Sequence, residues 1–221
     1  MDNVPSSADK HIIPVRSFLK AAASATPVGA VLVSLMNDEQ TRNIEDTLQK
    51  HQEQIEMLQE IVSGELHVDK AKYLEVLKAA LQKAKDEANE DKRKLYASYL
   101  TACCHPENAE KSNKRIFLDL VEKLDFYGIR ILKELTTLYN GREALDYFTY
   151  IFKGELDRSD ILIQIEYLTS YRLIENCSQD EIDRIHKRYG NRGESAPKAR
   201  LYYKRTALGD SLYKFISKGI L

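Results

Sequence analysis

Two stretches decide how this chain folds: Ile165-Glu166-Tyr167-Leu168-Thr169-Ser170-Tyr171-Arg172-Leu173-Ile174 and, further on, Ala199-Arg200-Leu201-Tyr202-Tyr203-Lys204-Arg205-Thr206-Ala207-Leu208-Gly209. In the first, Ile165 and Leu168 continue a helical spacing that then gives way to the apolar pair Leu173-Ile174. In the second, Leu201 and Tyr203 alternate with Tyr202 and Lys204, the period of a half-buried strand. Thr206 is a competent N-cap for a last helix carrying Leu208, Leu212, Phe215 and Ile216. The pair therefore predicts a helix that runs into a short strand, a polar connection, a returning strand and a closing helix.

Upstream of this core the texture is helical. Ile129, Ile131, Leu132 and Leu135 mark one helix, which Asn140-Gly141 ends. Ala144, Leu145, Phe148 and Phe152 mark a second, and Ser159-Asp160 caps the third, with Ile161, Ile163, Ile165, Leu168 and Tyr171 along it.

Three helices, a strand, a long polar loop, a strand and a helix is the order of a winged helix. The two quoted stretches resemble the third helix with its strand entry, and the returning wing strand with the "T-x-x-G" helix start, of MarR-like and PadR-like winged-helix domains. The resemblance covers roughly the last 80 residues and implies a two-stranded β-wing and DNA binding. Two positions depart from the family pattern. Tyr171 stands where a glycine usually closes the helix, and Arg205 stands where an apolar residue is usual, which predicts a displaced or register-shifted wing.

Charge divides this region. The exposed positions expected early in the third helix are Asp160, Gln164 and Glu166, and carboxylates repel phosphates. Between Ile182 and Arg205, by contrast, Arg184, Lys187, Arg188, Arg192, Lys198, Arg200, Lys204 and Arg205 face only Asp183 and Glu194, with Gly190 and Gly193 allowing close backbone approach. Such a wing can hold phosphates without reading sequence, in a salt-dependent way.

The N-terminal half reads differently. Residues 1–10 have the composition of a disordered tail. Pro27 suits the first turn of a helix. Beyond it Ile44, Leu48, Ile55, Leu58 and Val62 form a narrow apolar stripe with His51 in one seam position, ended by Ser63-Gly64. A second long helix starts at Asp69, with Tyr73, Leu77, Leu81, Ala84, Ala88, Leu95 and Tyr99 on one face, and should pair with the first as an antiparallel hairpin. Stripes this narrow call for packing on the rest of the chain or on a second copy, so a homo-oligomer through these helices is one expectation. After the break at Cys103-Cys104-His105-Pro106-Glu107-Asn108, a further helix carries Ile116, Phe117, Leu120, Val121 and Leu124. The fold expected is mainly α: a tail over 1–10, a helical domain with its hairpin over 11–125, and a winged-helix domain over 126–221. The whole layout also resembles bacterial abortive-infection proteins of the Abi-alpha type, which implies a non-enzymatic part in phage defence.

The bulk numbers narrow the function classes. With 33 basic and 34 acidic residues the chain is no general polycation, so nucleic-acid affinity needs a local patch. Three cysteines, two adjacent, suit a reducing compartment and a cytoplasmic location better than a disulfide framework. The uncharged run Ala21–Met36 holds Thr26, Pro27 and Gly29 and falls short of the roughly 20 residues that span a bilayer, and it does not read as a secretory signal. Cys103, Cys104 and His105 lack the spacing of a zinc site. No phosphate-cradling glycine loop, zinc-protease helix, nucleophile elbow or dinucleotide fingerprint is present, and no cofactor is expected.

The sequence thus favours a non-enzymatic regulator that touches nucleic acid through Arg184, Lys187, Arg188, Arg192, Lys198, Arg200 and Lys204. The alternative is an adaptor whose winged helix binds another protein through its acidic third helix.

Overall fold

The computed structural model describes residues 12–14, 37–62, 66–108, 111–135, 144–189 and 202–219. They are mainly helical, with two small antiparallel ribbons. The chain divides into two compact units, Met1–Val121 with Phe215–Leu221, and Glu122–Lys214. The tail over 1–10, the helix entry at Pro27 and the terminators Ser63-Gly64 and Asn140-Gly141 lie outside the described residues.

In the first unit β1 (Ile12–Pro14) pairs antiparallel with β2 (His67–Asp69). Helix α1 (Asp38–Val62) opens on a reciprocal cap, in which Asn37 Oδ1 accepts from the Gln40 amide and Gln40 Oε1 accepts from the Asn37 amide. Helix α2 (Lys70–Ala84) is capped by the predicted Asp69, which accepts from the amides of Ala71 and Lys72. The two run antiparallel: Asn43 near the start of α1 donates to the Lys85 carbonyl, while His51 reaches Tyr73 near the start of α2.

The second helix of the expected hairpin does not continue to Tyr99. It stops at Ala84, and α3 (Glu90–Cys104) begins afresh with Asn89 accepting from the Lys92 amide. From Lys85 to Lys94 the sequence offers no large apolar side chain, so nothing holds a helix on the core there, and Asn89 is a better cap than an interior residue. Tyr73, Leu77, Leu81 and Ala84 are buried on α2, and Leu95 and Tyr99 on α3, as the stripe requires, whereas Ala88 is exposed in the break.

Helix α3 is the centre of this unit. Every residue from Leu95 to His105 is buried, so the helix is enclosed on all sides. It runs parallel to α1, since Arg93 pairs with Asp46 and Gln54 Nε2 donates to Ser98 further along both. Helix α4 (Lys114–Lys123) brings Phe117 to Phe215, with ring centroids 4.9 Å apart, and Tyr99 meets the same ring at 5.7 Å.

The second unit begins with α5 (Phe126–Glu134), whose cap Asp125 accepts from the Gly128 amide at 2.7 Å. Helix α6 (Ala144–Ile151) and helix α7 (Arg158–Ser170) follow. Helix α7 is capped two residues before Ser159: Asp157 accepts from the Asp160 amide while Asp160 accepts from the Asp157 amide. Ile129, Leu132, Phe148, Phe152, Ile161, Ile165 and Leu168 supply the core. Strand β3 (Ile174–Asn176) pairs antiparallel with β4 (Tyr203–Arg205) in the register Ile174 to Arg205, Glu175 to Lys204 and Asn176 to Tyr203.

The connection between these strands is not all loop. Gln179–Tyr189 forms helix α8, because Glu181 reaches back over its first turn, accepting from both the Ser178 amide at 2.8 Å and the Ser178 hydroxyl at 2.9 Å, and Ile182 is fully buried. Helix α9 (Ala207–Ile216) closes the series, with Thr206 Oγ1 accepting from the Gly209 amide at 3.1 Å, and a 3-10 turn (Ser217–Gly219) follows it.

Candidate recognition surface

The glycine expected at the exit of α7 is replaced not at Tyr171 but one residue later. Arg172 takes the left-handed conformation, φ 56°, and completes a Schellman closure in which its amide donates to Thr169 O and the Leu173 amide donates to Leu168 O, both at 2.9 Å. Arg205, the other departure, is held by three partners. Its Nε pairs with Asp210 at 2.8 Å, its guanidinium lies 4.1 Å from the centre of the Tyr213 ring, and a terminal nitrogen donates to the Leu132 carbonyl. Both departures are thus absorbed locally.

Of the seven residues predicted to contact nucleic acid, Arg184, Lys187 and Lys204 are the ones whose side chains are described. Arg184 and Lys187 are exposed on α8, a helix instead of the expected loop, one turn apart. Arg188 belongs to the same helix, but its side chain is outside the described set, as are Arg192, Lys198 and Arg200 altogether. Lys204 is engaged: its ammonium lies 2.9 Å from Glu181 and 3.4 Å from Glu175. That lysine, with the Ser178 amide and hydroxyl, holds the Glu181 carboxyl down to about 2. Lys204 thus ties the start of α8 to the strand pair.

Helix α7 presents a face that sequence reasoning missed. Leu162, Ile163 and Tyr167 are 43, 46 and 51 % exposed, and with Ser159, Glu166 and Ser170 they occupy the spacing of a single helix stripe. Of the positions expected to be exposed, Asp160 is spent on the cap, Gln164 is half-buried and donates to Asp125 at 2.6 Å, and Glu166 alone stands on the open face. A signal was available. Apolar side chains at 161, 162, 163, 165, 167 and 168 run most of the way round the helix, more than one buried face can use. Burial, then the charge of Glu166, raises the pKa of the Tyr203 phenol.

The first unit carries a different feature, a buried polar spine. Asn43, Thr47, His51 and Gln54 are all buried along one side of α1. His51 is fully enclosed, with Nδ1 2.9 Å from Thr101 Oγ1 and Nε2 on the Tyr73 hydroxyl. The Thr101 proton goes to Ala97 O or Gln54 Oε1, so Thr101 accepts from Nδ1–H and Nε2 accepts from Tyr73. Burial pushes the imidazole down to about 3, which keeps it neutral.

Cys103, Cys104 and Cys177 are free and buried, and burial raises Cys103 to about 12 and Cys177 to about 11, which leaves them as protonated thiols. Among the described residues no group of three or more His, Cys, Asp or Glu is placed to hold a metal ion. No described helix is long and apolar enough to cross a membrane. Comparison with protein-family models, curated proteins and solved structures finds no match to this chain.

Proposed function

We propose that the chain acts by recognition without catalysis, that residues 122–214 form a winged-helix module, and that its third helix docks a protein instead of entering a DNA groove. The helix, strand and helix order from α5 to α9 supports the module. The observation that carries the function is the open face of α7. A groove-reading helix needs hydrogen-bond donors toward base edges and phosphates. Leu162 and Ile163 have no donor to offer there, and Glu166 opposes a phosphate. The same face suits a protein surface, where aromatic and aliphatic anchors supply most of the binding energy.

The test is a photo-crosslinking amino acid placed at position 167 of the full chain in its native host. The reading expects discrete adducts of protein mass that resist nuclease and vanish when Leu162 and Ile163 are both changed to serine. Nuclease-sensitive adducts, or none at all, would sink it.

A second reading, sequence-independent contact with nucleic acid, is favoured by one observation, the exposure of Arg184 and Lys187 on one side of α8. It expects binding to random duplex DNA whose salt slope flattens by about 2 in the Arg184→Ala/Lys187→Ala variant, because each lost phosphate contact removes about one unit of slope.

A further inference from the structure

The open face of α7 is small, acidic at its one charged position, and aromatic at its centre, and those properties limit what can cover it. Leu162, Ile163 and Tyr167 together leave on the order of 300 Å² uncovered, well below the roughly 800 Å² per partner of a stable dimer. A second copy seated here would have to bring most of its interface from elsewhere. The stripe Ser159, Leu162, Ile163, Glu166, Tyr167, Ser170 contains one charge, and that charge is a carboxylate. The cap at its N-terminal end is likewise built from two carboxylates, Asp157 and Asp160. Arg158, the cation at that end, is paired with Asp146 at 2.9 Å. An acidic or phosphate-bearing occupant would leave Glu166 facing a like charge, whereas a cation opposite it gains an ion pair at the rim of an apolar contact.

We infer that the α7 face takes a short amphipathic segment of another protein, two or three of whose apolar side chains seat on Leu162, Ile163 and Tyr167 with a lysine or arginine opposite Glu166. This rests on the reading of α7 as a protein-docking helix. Two anchors a helical turn apart on the partner would match the spacing of Leu162 and Ile163 against Tyr167, the geometry by which amphipathic helices dock on apolar surfaces. The apolar anchors set the affinity and Glu166 sets the sign of the partner's flanking charge.

The experiment uses the full chain with labelled leucine and isoleucine methyl groups and three probes: a 14-residue amphipathic Leu/Lys peptide, its Leu/Glu counterpart, and a 16-base-pair random duplex. The Leu/Lys peptide is expected to shift the Leu162 and Ile163 methyl resonances and to bind at least tenfold more tightly than the Leu/Glu peptide. Glu166→Lys should reverse that order, and Leu162→Ser with Ile163→Ser should cost both peptides at least tenfold. Unchanged melting of each variant shows that the fold survives, as their exposure predicts. Binding of the Leu/Lys peptide that ignores these substitutions, dimerisation that they abolish, or methyl shifts produced by the duplex would each overturn the inference. Nuclease-resistant protein adducts at position 167 without reversal by Glu166→Lys would leave protein docking standing and sink only the charge assignment.

Discussion

The carbonyl oxygen of Leu173 occupies the space that a Cβ on Gly209 would need: an ideal Cβ built there would lie 1.9 Å from it. The start of α9 and the exit of α7 therefore touch backbone to backbone, fastened on either side by Thr206, whose amide and hydroxyl both donate to this exit. Gly209→Ala forces a backbone shift, because no side chain can rotate away. A loss of about 3 kcal/mol is expected, the upper range for overpacking. Urea unfolding of the variant checks it, and a midpoint within error of the parent would show that the two segments are free to separate.

Arg172 pays for its place at the Schellman position with a left-handed backbone, φ 56°. Glycine adopts that conformation without the steric penalty, and the hydrogen bonds of the closure are main-chain and survive the change. Arg172→Gly should raise stability by about 1 kcal/mol, with Arg172→Ala near the parent. A destabilised glycine variant would mean that the arginine side chain holds a contact worth more than the strain.

How much of this was legible in the sequence depends on the kind of signal each element carries. Asp69 and Thr206 cap where their side chains predict, because caps are local properties, whereas the strand Tyr203–Arg205 forms without the expected alternation, Tyr202 being buried and Tyr203 and Lys204 both half-buried. The break at Lys85–Asn89 was obscured because a spacing can be continued across it on paper, although no apolar residue larger than Ala88 supports it. Helix α8 carries a local start signal, Glu181 reaching back to Ser178, beneath a run of basic charge that suits a loop equally well. The pairing of Lys204 with Glu181 and Glu175 is a matter of three segments meeting, which no spacing along the chain reports. The open face of α7 needed the core to be known first, since only then do Leu162, Ile163 and Tyr167 become surplus to it.

Arg205 combines an ion pair, an aromatic stack and a main-chain contact on a side chain only 11 % exposed. Lysine can keep the charge but not the planar stack or the second donor direction. Arg205→Lys is expected to cost about 1 kcal/mol and Arg205→Ala about 2 kcal/mol, of which the cation–π contact supplies roughly half. Pairing each change with Tyr213→Leu in a double-mutant cycle measures that share, and strict additivity would refute the stack as a source of stability.

His51 makes the first unit acid-sensitive. Its hydrogen-bond partners are the neutral hydroxyls of Thr101 from α3 and Tyr73 from α2, with Gln54 of α1 and the Cys104 thiol as their further neighbours, and no carboxylate is among them to receive a positive imidazolium. Its folded value of about 3 lies below the ordinary 6.5, so between these values the unfolded chain binds a proton that the folded chain does not. The stabilisation is complete above pH 6.5 and drains away as the pH falls through that window, by about 1.4 kcal/mol per pH unit, or roughly 2 kcal/mol by pH 5. Titrating carboxylates add their own slopes at lower pH, so the comparison that isolates the histidine is His51→Gln, which keeps a donor and an acceptor and removes the ionisation. The parent should lose stability between pH 6.5 and 5 more steeply than this variant. Parallel curves over that range would show that the imidazole finds a way to take up its proton without opening the bundle.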